Sequence, residues 1–132
     1  MALTVRVKTG MVLSCDFSGY ILPEIVKTRP VVVISPNEIV RPDLFTVVPL
    51  SKTAPNPVRD YHYQLKSDPF QVSTDIAWAK CDLSATVCYD RLDRWEVRRR
   101  QYIIGRISAE EVRSIRICVA KSIGLDIAPK KH

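Results

Sequence analysis

The sequence predicts a mainly β domain, a small barrel or sandwich of short strands closed by a single C-terminal helix. Three observations carry that expectation. Short apolar or alternating runs succeed one another between Pro, Gly and Asp turns from Val12 to Tyr89, as successive short strands do. Val31-Val-Val-Ile34 is an unbroken β-branched run bounded by Pro30 and Ser35-Pro36. It reads as a strand buried on both faces, because a strand with one face in water alternates. Only near the end does the period turn helical: Ser108-Ala-Glu-Glu111 has the form of a capping box, and Val112, Ile115, Val119 and Ile123 make one apolar stripe.

The first strand is expected over Val12-Leu-Ser-Cys-Asp-Phe17, which follows Gly10 and largely alternates. Ser18-Gly-Tyr-Ile-Leu-Pro23 leaves it and opens a loop that runs to Arg29, and long loops beside rigid strands commonly carry function. Pro30 fixes its own φ and holds Arg29 extended, so Arg29 sits at the mouth of the Val31 to Ile34 strand. Asp43 turns the chain into Leu44 to Val48, a strand that Pro49 is expected to end. Ser51-Lys52-Thr53 and the rigid loop Ala54-Pro-Asn-Pro57 follow. In Asp60-Tyr-His-Tyr-Gln-Leu65, alternation puts Tyr61, Tyr63 and Leu65 on one face and His62 and Gln64 on the other. Beyond the turn at Ser67-Asp-Pro69, Ile76 to Cys81 and Ala85 to Tyr89 supply two more strands, the former left at Asp82. In the final helix Ser108 caps the first turn, Glu111 reaches back, and Gly124 is the stop. Residues 1–126 are expected to form one domain, and 127–132 a frayed tail.

At 132 residues the chain has the length of one domain and enough surface to bury around a single core. Twenty Lys and Arg against 14 acidic residues give a net charge of +6, which suits a polyanionic partner without requiring one. Cys15, Cys81, Cys88 and Cys118 lack the two-residue spacing of a zinc or redox motif and fall within predicted elements, so they read as reduced, buried thiols. There is no apolar run long enough to span a membrane, and the start Met-Ala-Leu-Thr-Val-Arg does not read as a signal peptide, so a soluble, cytoplasmic protein is expected.

Arg29 is the first residue with chemistry to offer, a permanently charged group with five donors at the edge of the rigid core. That placement suits a phosphate as well as it suits an ion pair with Glu24. From Asp90 to Arg106, six arginines face three acids, half of the chain's net positive charge. This segment reads equally as a charged strand edge that resists mispairing or as an RNA-contacting surface. His62 titrates near neutrality and is a candidate acid or base, although a histidine on a strand surface is the commoner case.

Taken in order, several stretches resemble the MazF/PemK/Kid toxins of bacterial type II toxin-antitoxin modules. They are Gly10 to Asp16, Glu24-x-x-Lys27-x-Arg29-Pro30, Val31 to Ile34 with Ser35-Pro36, Val47-Val-Pro49-x-Ser51, Lys80-Cys81-Asp82, and Gly105-Arg-Ile-Ser108. The middle region is most similar to longer PemK-like members, with an aromatic strand ahead of Trp78-x-Lys80-Cys81-Asp82. The resemblance implies an SH3-like small antiparallel barrel with a C-terminal helix, usually a homodimer. It also implies an endoribonuclease that cuts single-stranded RNA without a metal or other cofactor, leaving a 2′,3′-cyclic phosphate and a 5′-hydroxyl. A cognate antitoxin would hold it inactive, and no membrane is involved.

By the same resemblance Arg29, Ser51 and Asp82 take catalytic places, and Glu24, Lys27, Thr28, Lys52, Thr53 and Lys80 become RNA contacts. Arg29 would stabilise the pentavalent phosphate, Ser51 would donate a further bond, and Asp82 would stand where some members place a base. Individually, Ser51 also suits a turn cap, and Asp82 a strand end or a partner for Lys80. The chain departs from the pattern at Pro23, where Kid-type toxins carry a His, and at Lys80, where they carry an Arg. Lysine can serve as an acid there if burial lowers its pKa. Base choice would fall to the loops at 18–28 and 54–59. Two alternatives remain: a barrel that binds protein without catalysis, as the gyrase-poisoning CcdB relatives do, and an RNA-binding barrel stacking bases on Tyr61, Tyr63 and Trp78. The absence of an aromatic residue from Ala128-Pro-Lys-Lys-His132 counts against the former.

Overall fold

The computed structural model describes residues 3–38 and 41–126; the expected tail at 127–132 lies outside them. The described residues form ten short strands and one α-helix: β1 (Met11–Cys15), β2 (Arg29–Val33), β3 (Leu44–Ser51), β4 (His62–Gln64), β5 (Trp78–Lys80), β6 (Ala85–Cys88), β7 (Leu92–Asp93), β8 (Trp95–Arg98), β9 (Gln101–Ile103), β10 (Gly105–Arg106) and α1 (Ala109–Ser122). Pairing is antiparallel in the order β10-β1-β2-β3-β5-β4, with β6 also on β3, β7 also on β1, and β8–β9 as a separate hairpin. Arg106 N–H donates to Pro69 O, just beyond β4, so the two ends of this strand path approach each other. That approach is close: a Cβ on Gly105 would lie 2.8 Å from the Phe70 ring.

The β-branched run is buried on both faces, as its lack of alternation predicts. Val31 and Val33 join Leu13, Cys15, Phe17, Val47 and Val87 in one cluster, while Val32 and Ile34 join Val12, Val48, Leu50, Leu65 and Ile115 in another. The central strands therefore separate two apolar layers, and α1 covers the second with Ile115 and Cys118.

Pro49 does not end its strand. β3 continues to Ser51, and the reason lies in how β3 changes neighbours. Leu44 to Val47 pair with β6, and Leu50 and Ser51 pair with β5, leaving Val48 and Pro49 with no partner on that side. On the other side Ile34 N–H donates to Thr46 O, so the alternation of the ladder makes the Val31–Pro49 pair a non-hydrogen-bonded one. The missing N–H falls where nothing asks for it. Other boundaries shrink: the aromatic strand starts at His62 rather than Asp60, and the next covers Trp78–Lys80, with Cys81–Leu83 forming one 3₁₀ turn.

Ser108 caps α1, its Oγ accepting from Glu111 N–H at 3.1 Å. The Glu111 side chain, expected to reach back to the cap, turns instead into the barrel. It accepts from Tyr63 O–H and from Lys66 N–H, both at 3.0 Å, and is only 7% exposed. Ile123 is a second correction to the expected stripe: it lies past the helix at 80% exposure, and Cys118 takes the buried place. Gly124 has a φ of 98°, as a helix stop requires. The four cysteines are free thiols, with Cys15, Cys81 and Cys118 buried. Among the described residues no helix is long and apolar enough to cross a membrane.

A buried thiol and a half-buried phenol set an alkaline limit. Burial pushes the Cys15 thiol from 9.0 up to about 12, and burial together with the bond to Glu111 pushes Tyr63 from 10.0 up to about 12. Each is protonated in the fold at a pH where the unfolded chain has released the proton, so stability falls with rising pH. Urea midpoints are expected to be level below pH 9.0 and to drop as pH climbs through 10.0 towards about 12. A flat profile across that window would contradict the burial of both groups.

Candidate active site

Strand register explains how distant residues meet. Leu13 pairs with Val31, Val31 with Pro49, and His62 with Lys80. The Leu50–Ala79 register, carried one step on, sets Pro49 across from Lys80 and completes a row across five strands. The neighbouring row runs Cys15–Arg29, then Ser51–Trp78 and Trp78–Gln64. Extending the Val31–Pro49 register two residues sets Arg29 beside Ser51. Cross-strand partners share a face, so the face that holds the first apolar cluster runs out into Arg29, Ser51 and Lys80.

These three side chains line one cleft of about 180 Å³, whose other walls are Ile25, Pro49, Leu50 and Leu83. Ile25 and Leu83 also wall an adjoining cleft that holds Glu24 and Asp82. Leu50 and Ser51 likewise belong to a third cleft, with Lys52, Asp75, Phe70, Trp95 and Val97. Shared walls place the three hollows one after another around the ends of β2 and β3, a groove with Arg29 and Lys80 in its middle section and with its third section, lined by Pro30 and Leu50, on the opposite face of the sheet.

Among the described residues Arg29 makes no ion pair, and the expected alternative of pairing with Glu24 is not found, because Glu24 Oε1 accepts from Ile21 N–H at 2.7 Å. Ser51 does cap a turn, its Oγ accepting from Thr53 N–H at 3.1 Å. That bond uses an acceptor site and leaves the hydroxyl proton free to donate. Lys52 Nζ lies 3.8 Å from Asp75, an exposed pair of little energetic weight.

Asp82 is 40% exposed and pairs with His62 rather than with Lys80: His62 Nε2 lies 3.7 Å from Asp82 Oδ1. His62 is not the surface histidine that alternation suggested. Its side chain is 8% exposed, and Nδ1 accepts from Arg59 N–H at 3.0 Å. With Nδ1 so engaged the ring proton sits on Nε2, towards Asp82, and the imidazole stands behind the carboxylate rather than in the groove.

Not every sequence candidate reaches the groove. Thr28 faces away and lines a separate hollow with Ser14, Asp16 and Arg91, as the alternation from Arg29 demands. Lys27 is exposed on the loop before β2, and Thr53 contributes its backbone. Ile25 and Leu83 were missed, since loop apolar residues carry no periodic signal, and Asp75 and the β8 wall of Trp95 and Val97 were missed because only the fold brings them beside Ser51.

A model of the PemK-like, MazF-like toxins of type II toxin-antitoxin systems matches residues 8–123, nearly the whole chain. The chain belongs to this family. Solved structures agree on the fold of this PemK-like chain. An endoribonuclease in complex with its cognate antitoxin from a mycobacterial species is 21% identical with a TM-score of 0.65, covering 93% of this chain and 100% of that one. MazF from Deinococcus radiodurans is 17% identical with a TM-score of 0.67, covering 92% and 100%. The Mycobacterium tuberculosis toxin MazF-mt6 is 17% identical with a TM-score of 0.59, covering 89% and 99%. No individually curated protein matches it in sequence. The small antiparallel barrel with a C-terminal helix that the sequence predicted is thus the MazF-like fold.

Proposed function

We propose that this toxin is an endoribonuclease that cuts single-stranded mRNA at short sequences, using a ribose 2′-hydroxyl as nucleophile. The carrying observation is the meeting of Arg29, Ser51 and Lys80 in one cleft with the Asp82 carboxylate in the next. The 2′ oxygen bonds to phosphorus as the bond to the 5′ oxygen breaks. One proton leaves the 2′-hydroxyl for a base and another reaches the departing oxygen, giving a 2′,3′-cyclic phosphate and a 5′-hydroxyl. Arg29 stabilises the phosphorane with charge-assisted bonds, Ser51 donates one more, and Asp82 accepts the 2′ proton. Lys80 is the acid best placed for the leaving oxygen, because a guanidinium releases a proton only above about pH 12. His62 works through Asp82 and touches no substrate.

The endoribonucleases among its structural neighbours support this reading, as does the one seen with its cognate antitoxin. A cognate antitoxin would cover the groove, and two copies of the 1–126 domain would associate in the cytoplasm, where mRNA is available. The guanidinium supplies the positive charge that a divalent ion would otherwise bring, so no metal is required. Incubating purified protein with a long single-stranded RNA and with gyrase tests this directly. RNA fragments with cyclic phosphate ends, formed equally in EDTA, are expected; intact RNA, or cutting abolished by chelation, would overturn it.

A further inference from the structure

The β8–β9 hairpin ends in Arg98, Arg99 and Arg100, all exposed. Its base is fixed. Trp95 stacks on Phe70 with ring centroids 5.8 Å apart, and Trp95, Val97 and Ile103 pack on the second apolar cluster. Trp95 and Val97 also wall the third cleft, next to Ser51 and Lys52, so the arginine tip begins one residue beyond the wall of the groove.

Stability does not account for these arginines. Among the described residues their side chains make no ion pair or hydrogen bond, and the nearby Glu96 is otherwise engaged, with Arg100 N–H at 3.2 Å and the Tyr102 hydroxyl. Three like charges in a row repel one another. Arg100 adopts a φ of 62°, a conformation that glycine or asparagine takes far more readily. Charges that guard a sheet edge belong along the strand, whereas two of these lie in the turn, where no edge is open to pairing.

We propose that Arg98, Arg99 and Arg100 form a sequence-independent clamp on the phosphate backbone of the RNA strand leaving the groove past Trp95 and Val97. This rests on the RNA-cleaving function above and adds a contact region outside the cleft that holds Arg29. The tip's rigid base fixes where the charges stand, and its lack of internal partners leaves all three guanidinium groups free for phosphate oxygens.

Salt dependence provides the test. The probe is a non-cleavable 2′-O-methyl RNA of about 20 nucleotides, long enough to pass the groove, beside one of about five. Affinity is measured from about 50 to 200 mM salt for wild type, for the Arg98→Gln, Arg99→Gln, Arg100→Gln triple variant, and for the corresponding Lys triple. Each phosphate contact on a single strand contributes roughly 0.7 to the slope of log affinity against log salt, so the Gln triple should lose about 2 from the slope on the long RNA. The short RNA should show a much smaller change, and the Lys triple should keep most of the wild-type slope, which misfolding could not produce. A slope on the long RNA unchanged in the Gln triple, in a protein that cuts RNA, overturns the clamp alone. Wild-type protein that neither binds nor cuts RNA overturns the function on which the clamp rests.

Discussion

Arg29→Ala protein is expected to cut RNA about a hundred- to a thousandfold more slowly than wild type, the usual consequence of removing one preorganised donor aimed at developing charge. Its position makes the loss specific. Arg29 is exposed at the start of β2, without an ion pair among the described residues, so the substitution leaves the two apolar clusters intact and circular dichroism should not change. Arg29→Lys should recover little, since an ammonium does not reproduce the planar fork. Ser51→Ala should cost less, because it removes a neutral bond and a turn contact to Thr53. Folded Arg29→Ala protein that cuts at the wild-type rate would remove Arg29 from the chemistry.

The largest stability effect is expected at Glu111. Its buried carboxylate joins the helix to β4 through Tyr63 O–H and to the segment after it through Lys66 N–H. Truncation leaves a backbone N–H and a half-buried hydroxyl without their acceptor, and bonds to charged groups contribute about 1.5 to 3 kcal/mol each. Glu111→Ala should therefore destabilise the fold by about 3 kcal/mol and lower the melting temperature by roughly 10 °C for a domain of this size. Glu111→Gln keeps an acceptor and should lose about half as much. A calorimetric shift within about 2 °C for the Ala variant would show that water replaces the carboxylate.

Local pattern made most of the architecture readable. The β-branched run, the Ser108 cap and Gly124 each act through neighbours a few residues away, and each appears where the pattern puts it. What escaped depends on partners far along the chain. Pro49 sits inside β3 only because β6 and β5 divide that edge between them. Glu111 left its capping box because Tyr63 and Lys66 offered donors from 48 and 45 residues away. His62 alternates like a surface residue, yet the pairing of β4 with β5 brings Asp82 against it. For the candidate site, the register brought Arg29, Ser51 and Lys80 together while the same alternation turned Thr28 away. Residue types marked the first three, but no periodicity announces walls such as Ile25 and Leu83.

The two-sided burial of β2 leaves its valines nearly interchangeable as information. Sliding the strand by one position would exchange one apolar layer for the other with little change in hydrophobic content. What forbids the slide stands at the ends. Moved one way, Arg29 would enter the place of Pro30 against Leu50 and Phe70, and proline would enter the fully buried site of Val31. Moved the other way, Ser35 would take the 6% exposed place of Ile34. Arg29-Pro30 is thus a registration mark as well as a chemical group. In a library randomised across 29–34, the four aliphatic positions should drift among Val, Ile and Leu while the Arg-Pro step stays fixed, and selection for folding alone, with toxicity suppressed, should still disfavour moving the arginine by one residue.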